Sequence, residues 1–426
     1  MRIVRLLGTV LGTTLLTTTA VLTAPAHAGP ATPPAVSTDR TSLDRSGLRD
    51  KLDAIHEAGM YGVFSAVRDG GERWTGASGV ADVDTGRPVT PGMRHRVGSI
   101  SKTFTSVAVL QQVERGRISL DAPVGDYLPD LIPGERGRQI TVRMLLNHTS
   151  HIGDYIVGAF PSFAENSTAS IDEERFRSIR PEELVRLGLA APATGSPGAV
   201  PGSYSNSNYV IAGLLLEKVT GQDAEAYIER NVMDRAGLRH TYFPRTPYIK
   251  GPHPRMYESW FGLINPPRDY SVYNMSWAST AGAVVSTTDD LNRFYRALLG
   301  GKLIGEASLD EMTRTVSVNG IAYGLGIYAV DLPCGRFWGH DGAVFGAGMT
   351  ALSSRDGKRQ LALAQNLMKY QSLDENGQPK ANPIDDAMAT YILGALCPAT
   401  PKSASTPAQL SKTLKFDQLS PGLVRS

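Results

Sequence analysis

The chain has 426 residues, with 43 Lys+Arg against 41 Asp+Glu, 41% hydrophobic and 20% charged positions. That length supports one large or two interleaved units around a sizeable core. A formal charge of +2 gives no electrostatic case for nucleic acid or an anionic membrane surface, and the composition excludes collagen-like, low-complexity and wholly disordered chains.

Residues 1–5 are short and positive and residues 6–23 are apolar, and Ala24-Pro25-Ala26-His27-Ala28 has the small–x–small form of a signal-peptidase site. Cleavage after Ala28 is expected, so 1–28 reads as a signal peptide and 29–44 as a flexible leader. An uncleaved anchor is the alternative, disfavoured by the many threonines. Without residues 1–28, which hold two arginines and no acids, the two charge signs balance. No second long apolar run follows, so no stable membrane anchor is expected.

Residues 61–68 and 72–80 predict two strands joined by Asp69-Gly70-Gly71 into a hairpin. Helical spacing covers 101–115, 181–189, 208–219, 224–236 and 288–299, and strand-like runs return at 336–340, 348–352 and 360–364. Strands from both chain ends therefore predict one antiparallel sheet flanked by helices, with a mainly helical subdomain inserted. This is an α/β (α+β) fold, with its α/β part at about 45–95 and 300–397 and its helical part at about 96–299. The Pro- and Gly-rich joints 191–202 and 251–268 are too long for simple turns and are expected to line a cleft. Residues 398–426 read as a flexible C-terminal tail, because Pro398 to Pro407 cannot bury much apolar surface.

Two cysteines are too few for a disulfide-framed mini-domain or a cysteine-built zinc site. In an oxidising compartment Cys334 and Cys397 are expected to form one disulfide, tying a strand to the last helix; two buried free thiols are the alternative. The closed loop of about sixty residues would stabilise by roughly 4 kcal/mol, an upper figure on chain-entropy grounds.

Three local patterns carry chemistry. Val97-Gly98-Ser99-Ile100-Ser101-Lys102 opens an apolar helix, so Ser99 and Lys102 share a face one turn apart. The helix N-terminus favours a developing negative charge. Lys102 activates Ser99 only if it is neutral, and a thousandfold change in its protonation costs roughly 4 kcal/mol from burial or a second cation. Alone, the pair also reads as a helix cap and a solvated lysine. Pro201-Gly202-Ser203-Tyr204-Ser205-Asn206 is a tight polar loop before an apolar helix, where Tyr204 passes a proton and Asn206 binds an amide, or where Ser and Asn simply cap. Trp338-Gly339-His340-Asp341-Gly342-Ala343 is a strand in which Gly342 permits close approach of a ligand or backbone; a lone His340 is more commonly structural.

Together, Ser-x-x-Lys, Tyr-x-Asn a hundred residues later and a basic-x-Gly strand late in the chain resemble the penicillin-recognising serine hydrolases. The likeness is to D-alanyl-D-alanine carboxypeptidases and class C β-lactamases, particularly the secreted carboxypeptidases of Streptomyces. It extends to the blocks 144–150, 213–221, 276–284, 323–326 and 331–335, and thus covers about 45–397 as one catalytic domain. The resemblance implies Ser99 as the acylated nucleophile, Lys102 as its base, Tyr204 as a proton relay and Asn206 as a substrate-amide ligand. It further implies His340 as a polar or positive neighbour of Tyr204, Trp277 on the cleft wall, and an oxyanion hole from the N–H groups of Ser99 and Ala343. No cofactor or metal is implied, and the histidines lack metal-ligand spacing. The implied partners are small peptide, amide, ester or β-lactam substrates, including peptidoglycan peptides, met by a secreted monomer in the cell-wall environment of a Gram-positive-type bacterium.

Three departures bear on substrate. Asp341 replaces the threonine of the family's basic-Thr-Gly strand, Tyr328 stands where the carboxypeptidases have an arginine, and His151 interrupts a His-Thr-Ser-Gly run. A carboxylate about 4 Å from a substrate carboxylate repels it by something like 4 kcal/mol before screening. The expectation is a D-alanyl-D-alanine carboxypeptidase-like serine hydrolase. The alternatives are a D-aminopeptidase, D-amino-acid amidase or carboxylesterase on the same fold, and a non-catalytic penicillin-binding cell-wall protein. No Gly-x-Ser-x-Gly occurs, which disfavours a nucleophile-elbow hydrolase.

Overall fold

The computed structural model describes residues 43–398, so the expected signal segment and nearly all of the expected leader and tail lie outside the described residues. Helix α1 (Arg45–Glu57) starts at Asp44, whose carboxylate accepts from the Gly47 N–H at 2.9 Å. Strands β1 (Gly62–Asp69), β2 (Glu72–Asp82) and β3 (Arg87–Pro88) follow, then helices α2 (Ser101–Glu114), α3 (Ser207–Thr220) and α4 (Thr288–Leu299). The later strands of the main sheet are β4 (Val316–Val318), β5 (Ile321–Tyr323), β6 (Tyr328–Leu332), β7 (Gly335–Val344), β8 (Ala347–Ser354) and β9 (Arg359–Gln365), and α5 (Pro383–Leu396) closes the fold.

These nine strands form one sheet in the order β3-β2-β1-β9-β8-β7-β6-β5-β4. The first hairpin meets the last strand through the antiparallel β1–β9 register, Val63 opposite Gln365 and Asp69 opposite Arg359. Both faces of the centre are covered, which is why β1 is apolar along most of its length instead of alternating. Val63, Val67, Leu361 and Leu363 pack with α1 and α5 residues such as Leu52 and Ile392, whereas Phe64, Ala362 and Ala364 join the larger core with Leu291 and Phe294 of α4.

The helical region was expected between the strands, and α2 runs through its middle. Twelve of the fourteen α2 residues are buried, among them Ser101, Lys102, Thr103, Thr105, Ser106, Gln111 and Gln112, so the helix is enclosed on all sides although much of it is polar. The predicted helix at 224–236 divides into Ala224–Ile228 and a π-helical turn Glu229–Met233. Cys334 and Cys397 are joined, with Cα atoms 5.5 Å apart; Cys334 occupies the β6–β7 turn, not a strand, and Cys397 caps α5. Among the described residues no helix is long and apolar enough to cross a membrane.

Two joints expected to line a cleft pack differently. Joint 191–202 wraps His151, through Thr194 Oγ1 and the Ala199 carbonyl, and then bridges to Val318 of β4. Joint 251–268 contributes Tyr257 and Glu258, which pair with Leu367 and Met368, and Glu258 accepts from the Gly346 N–H in the β7–β8 turn. That second joint therefore braces the β7–β8 turn.

Candidate active site

Ser99 sits in a 3-10 turn, Gly98–Ile100, that leads directly into α2. Gly98 has φ +52°, and a Cβ there would stand 2.7 Å from the Ala343 nitrogen. A Cβ on Gly342 would fall 1.9 Å from the Val97 carbonyl oxygen and 2.7 Å from the Ser99 nitrogen. The two glycines thus let β7 abut the turn and bring the Ser99 and Ala343 N–H groups together. Pairing with β6 ends at Gly339, while β8 pairs on to Val344. On the side that β6 leaves, the 340–344 stretch of β7 therefore borders the Ser99 turn, with β8 still paired on its other side.

Lys102 is fully buried, and its Nζ lies 2.9 Å from Ser99 Oγ, 2.8 Å from Asn206 Oδ1 and 2.9 Å from the Ala281 carbonyl oxygen. Burial pulls its pKa down to about 7, against the opposing pull of Asp154 and Asp341. The neutral amine has two hydrogens and one lone pair. Asn206 Oδ1 and the Ala281 carbonyl can only accept, so they take both hydrogens. The lone pair is left for the Ser99 hydroxyl proton, the arrangement a general base requires.

Tyr204 and Asn206 come from the loop preceding α3. Asn319 Oδ1 holds the Tyr204 N–H at 2.8 Å, and Asp154 Oδ2 accepts from both the Asn206 N–H and Nδ2, each at 2.8 Å. The Tyr204 ring lies under Lys102 Nζ at 4.8 Å and packs against His148 at a centroid distance of 4.1 Å, the two planes tilted by 34°. Burial drives its phenol well above the ordinary value, with the Ser99 hydroxyl pulling the other way. At neutral pH Tyr204 is therefore a proton donor beside Ser99, not a phenolate base.

Of the two characters expected for His340, polar or positive, its surroundings allow only the first. Both ring nitrogens are taken: Nδ1 donates to the Asp341 carbonyl and Nε2 accepts from the Tyr323 hydroxyl at 2.9 Å. Burial, then the charge of Lys102, holds its pKa at about 3. His340 is a neutral, fully buried ring 6.5 Å from Tyr204 between centroids, so it supplies no positive charge there. It ties β7 to β5.

Asp341 does face the site. Its carboxylate raises the proton affinity of Lys102 and acts on the phenols of Tyr328, Tyr204 and Tyr295. Tyr328 is buried, and its hydroxyl meets this carboxylate. His151 occupies a left-handed backbone position at φ +55°, which explains why glycine suits this place in a His-Thr-Ser-Gly run. Trp277, half-buried, meets Phe160 and Phe345 at 5.6 and 5.4 Å, four residues before the Ala281 carbonyl that holds Lys102.

Reading the sequence missed Asp154, His148 and the Ala281 carbonyl. His148 lies inside a block quoted for the family likeness, but nothing marked its ring as the support of Tyr204. Asp154 is a lone acid in the apolar stretch Ile152-Gly153-Asp154-Tyr155-Ile156, the one local hint available. Among the described residues no group of three or more His, Cys, Asp or Glu side chains could hold a metal ion.

The family profile described as Beta-lactamase matches residues 48–376. The chain belongs to the β-lactamase-like serine hydrolases. A D-stereospecific amidohydrolase from Streptomyces sp. is 34% identical, with 84% of this chain and 100% of that chain covered at a TM-score of 0.73. Penicillin-binding protein 4* of Bacillus subtilis (strain 168) is 26% identical over 339 residues, 76% of this chain and 72% of the relative. Esterase EstB of Burkholderia gladioli is 31% identical over 220 residues, covering 49% of this chain and 55% of the relative. The family thus joins amide, ester and penicillin-binding relatives around one sheet, and substrate has to be argued from this chain's own residues.

Proposed function

We propose that this protein is an exported acyl hydrolase that cleaves amide or peptide bonds of D-amino-acid substrates through an acyl-enzyme on Ser99. The observation that carries the reading is Lys102 Nζ standing 2.9 Å from Ser99 Oγ while two pure acceptors, Asn206 Oδ1 and the Ala281 carbonyl oxygen, take up its hydrogens. Lys102 takes the hydroxyl proton as Oγ attacks the carbonyl carbon, and the N–H groups of Ser99 and Ala343 hold the oxyanion. The C–N bond then breaks, and the leaving amine takes a proton from Tyr204, which Lys102 restores. Water repeats the sequence to release the acid and free Ser99. Asn206 keeps one Nδ2 hydrogen for the substrate amide, Gly342 admits the substrate backbone, and Trp277 forms the wall.

Asp341 decides among substrate classes. Its negative charge beside Lys102 and Tyr204 disfavours a terminal carboxylate and favours a neutral amide or a free ammonium group. The amidohydrolase relative at 34% identity supports the same choice. A D-alanyl-D-alanine carboxypeptidase is the second reading, favoured by the penicillin-binding relative. Export is supported by the small–x–small site at 24–28 and by the Cys334–Cys397 bridge, which suits an oxidising space.

The test compares kcat/KM for D-alanine amide and an acyl-D-Ala-D-Ala peptide in the wild type and in Asp341→Thr. The amide is expected to be preferred, and the substitution to swing the ratio toward the peptide by about tenfold to a hundredfold. A ratio that Asp341→Thr leaves unchanged removes Asp341 as the selector.

A further inference from the structure

We infer that Asp154 is a positioning residue that aims the Lys102 lone pair at Ser99 by fixing which end of the Asn206 amide faces the lysine. The inference rests on the hydrolase reading above and deepens it.

Lys102 works as a base only while its two hydrogens are drawn elsewhere. One goes to the Ala281 carbonyl, which is backbone and has no alternative chemistry. The other goes to Asn206 Oδ1, and a side-chain amide has two chemically opposite ends. Turned over, Asn206 would offer Nδ2 to Lys102. The lone pair would then accept from the amide, and a hydrogen would point at Ser99 Oγ instead. Nothing in Asn206 itself prevents this.

Asp154 does. Its Oδ2 accepts from Asn206 Nδ2 and from the Asn206 N–H, each at 2.8 Å, while Oδ1 accepts from the Ile156 N–H at 3.0 Å. A reversed amide would set Oδ1 of Asn206 against this carboxylate, placing acceptor against acceptor. Charge-assisted bonds are roughly twice as strong as neutral ones, so the carboxylate is the stronger of the two determinants of the amide's orientation. Asp154 therefore reaches Ser99 through two intermediates without touching it.

The carboxylate has a second, opposing effect, since its charge favours protonated Lys102. Other groups face the same amine and set the background. These are Tyr204 and Asn206 from the loop before α3, Tyr209 of α3, Ser99 of the nucleophile turn, Asp341 and His340 of β7, and His148. Removing only the charge of Asp154, with its acceptor kept, separates aiming from tuning.

The experiment measures the rate at which a fluorophosphonate labels Ser99, followed by intact-mass spectrometry against pH, with melting temperatures to confirm folding. Asp154→Leu should slow labelling by roughly 10- to 100-fold on the plateau. Asp154→Asn retains an acceptor for Asn206. It should recover most of that loss and move the acid limb to lower pH, because the charge that helped keep Lys102 protonated is gone. In an Asn206→Ala background, Asp154→Leu should add less than about twofold, as expected of residues acting in series. Additive losses, or an Asp154→Leu protein labelled as fast as wild type, overturn the inference. If Asp154→Leu does not fold, Asp154→Ala takes its place under the same criteria, and labelling as fast as wild type on the plateau overturns the inference. A wild type that fails to label at Ser99 overturns the hydrolase reading as well, whereas a labelled wild type with indifferent Asp154 variants leaves that reading intact.

Discussion

Two carboxylates act on Lys102, and they belong to different parts of the fold. Asp154 lies in the loop leading to residues 156–159 and uses its oxygens on three N–H donors, two from Asn206 and one from Ile156. Asp341 lies on β7, where pairing with β6 has ended, and meets the phenol of Tyr328. Both raise the proton affinity of the same amine, yet one is committed to the protein's own amides and the other is, in the function proposed above, the one that meets the substrate. A charge of one sign can thus be a strut in one place and a selector in another, depending on which donors already occupy its oxygens.

The largest effect expected comes from removing what the two acids share. Lys102→Met should reduce acylation by about 10³- to 10⁴-fold, read as fluorophosphonate labelling or amide turnover. The same variant has a stability signature with a definite sign. The folded pKa of Lys102, about 7, is depressed below the value of an unfolded lysine. The penalty for burying it is therefore full below pH 7 and disappears as pH rises toward 10. Denaturant titrations should show wild type gaining stability over Lys102→Met across that window, by up to roughly 4 kcal/mol. A difference that does not change with pH would mean that Lys102 stays charged in the fold.

The next effect separates the two acids. Lys102 acts as a base when neutral, so kcat/KM should rise with pH through about 7. Asp341→Thr and Asp154→Asn each remove a charge that favours the protonated form, and both should move this limb to lower pH. Only Asp341→Thr should also alter the ratio of carboxylate-terminated to amide substrates. If Asp154→Asn alters that ratio equally, the division between strut and selector is wrong.

The chemistry-bearing residues were legible where the signal was local. Ser99 and Lys102 are three positions apart on one helix, Tyr204 and Asn206 share one turn, and Asp341 stands out against the threonine of a family strand. The sheet was legible for a similar reason, since turn residues bracket apolar runs at both chain ends. What could not be read was set by long-range contact. Asp154 and Asn206 are 52 residues apart, and Lys102 and the Ala281 carbonyl are 179 apart. No pattern in the chain marks either pairing. His340 shows the same limit from the other side. Its position in a motif left a polar or a positive neighbour of Tyr204 equally open, and the choice depends on burial and on the nearby Lys102, which only packing determines.

The smallest effect on the site should come from the disulfide. Cys334 sits in the β6–β7 turn and Cys397 at the end of α5, separated by 63 residues. β7 begins at Gly335, and the Asp341–Ala343 segment lies more than five residues further along, beyond the stretch paired with β6. A cross-link at the turn constrains the unfolded chain, for a stabilisation of about 4 kcal/mol at most. The geometry at the far end of the strand is held instead by β8 and by the contact of Gly98 with Gly342–Ala343. The double variant Cys334→Ala/Cys397→Ala should therefore melt several degrees lower while kcat/KM and the amide-to-peptide ratio stay within about twofold of wild type. A changed ratio at unchanged stability would show that the turn governs the position of Asp341, and the selector would then extend along the whole of β7.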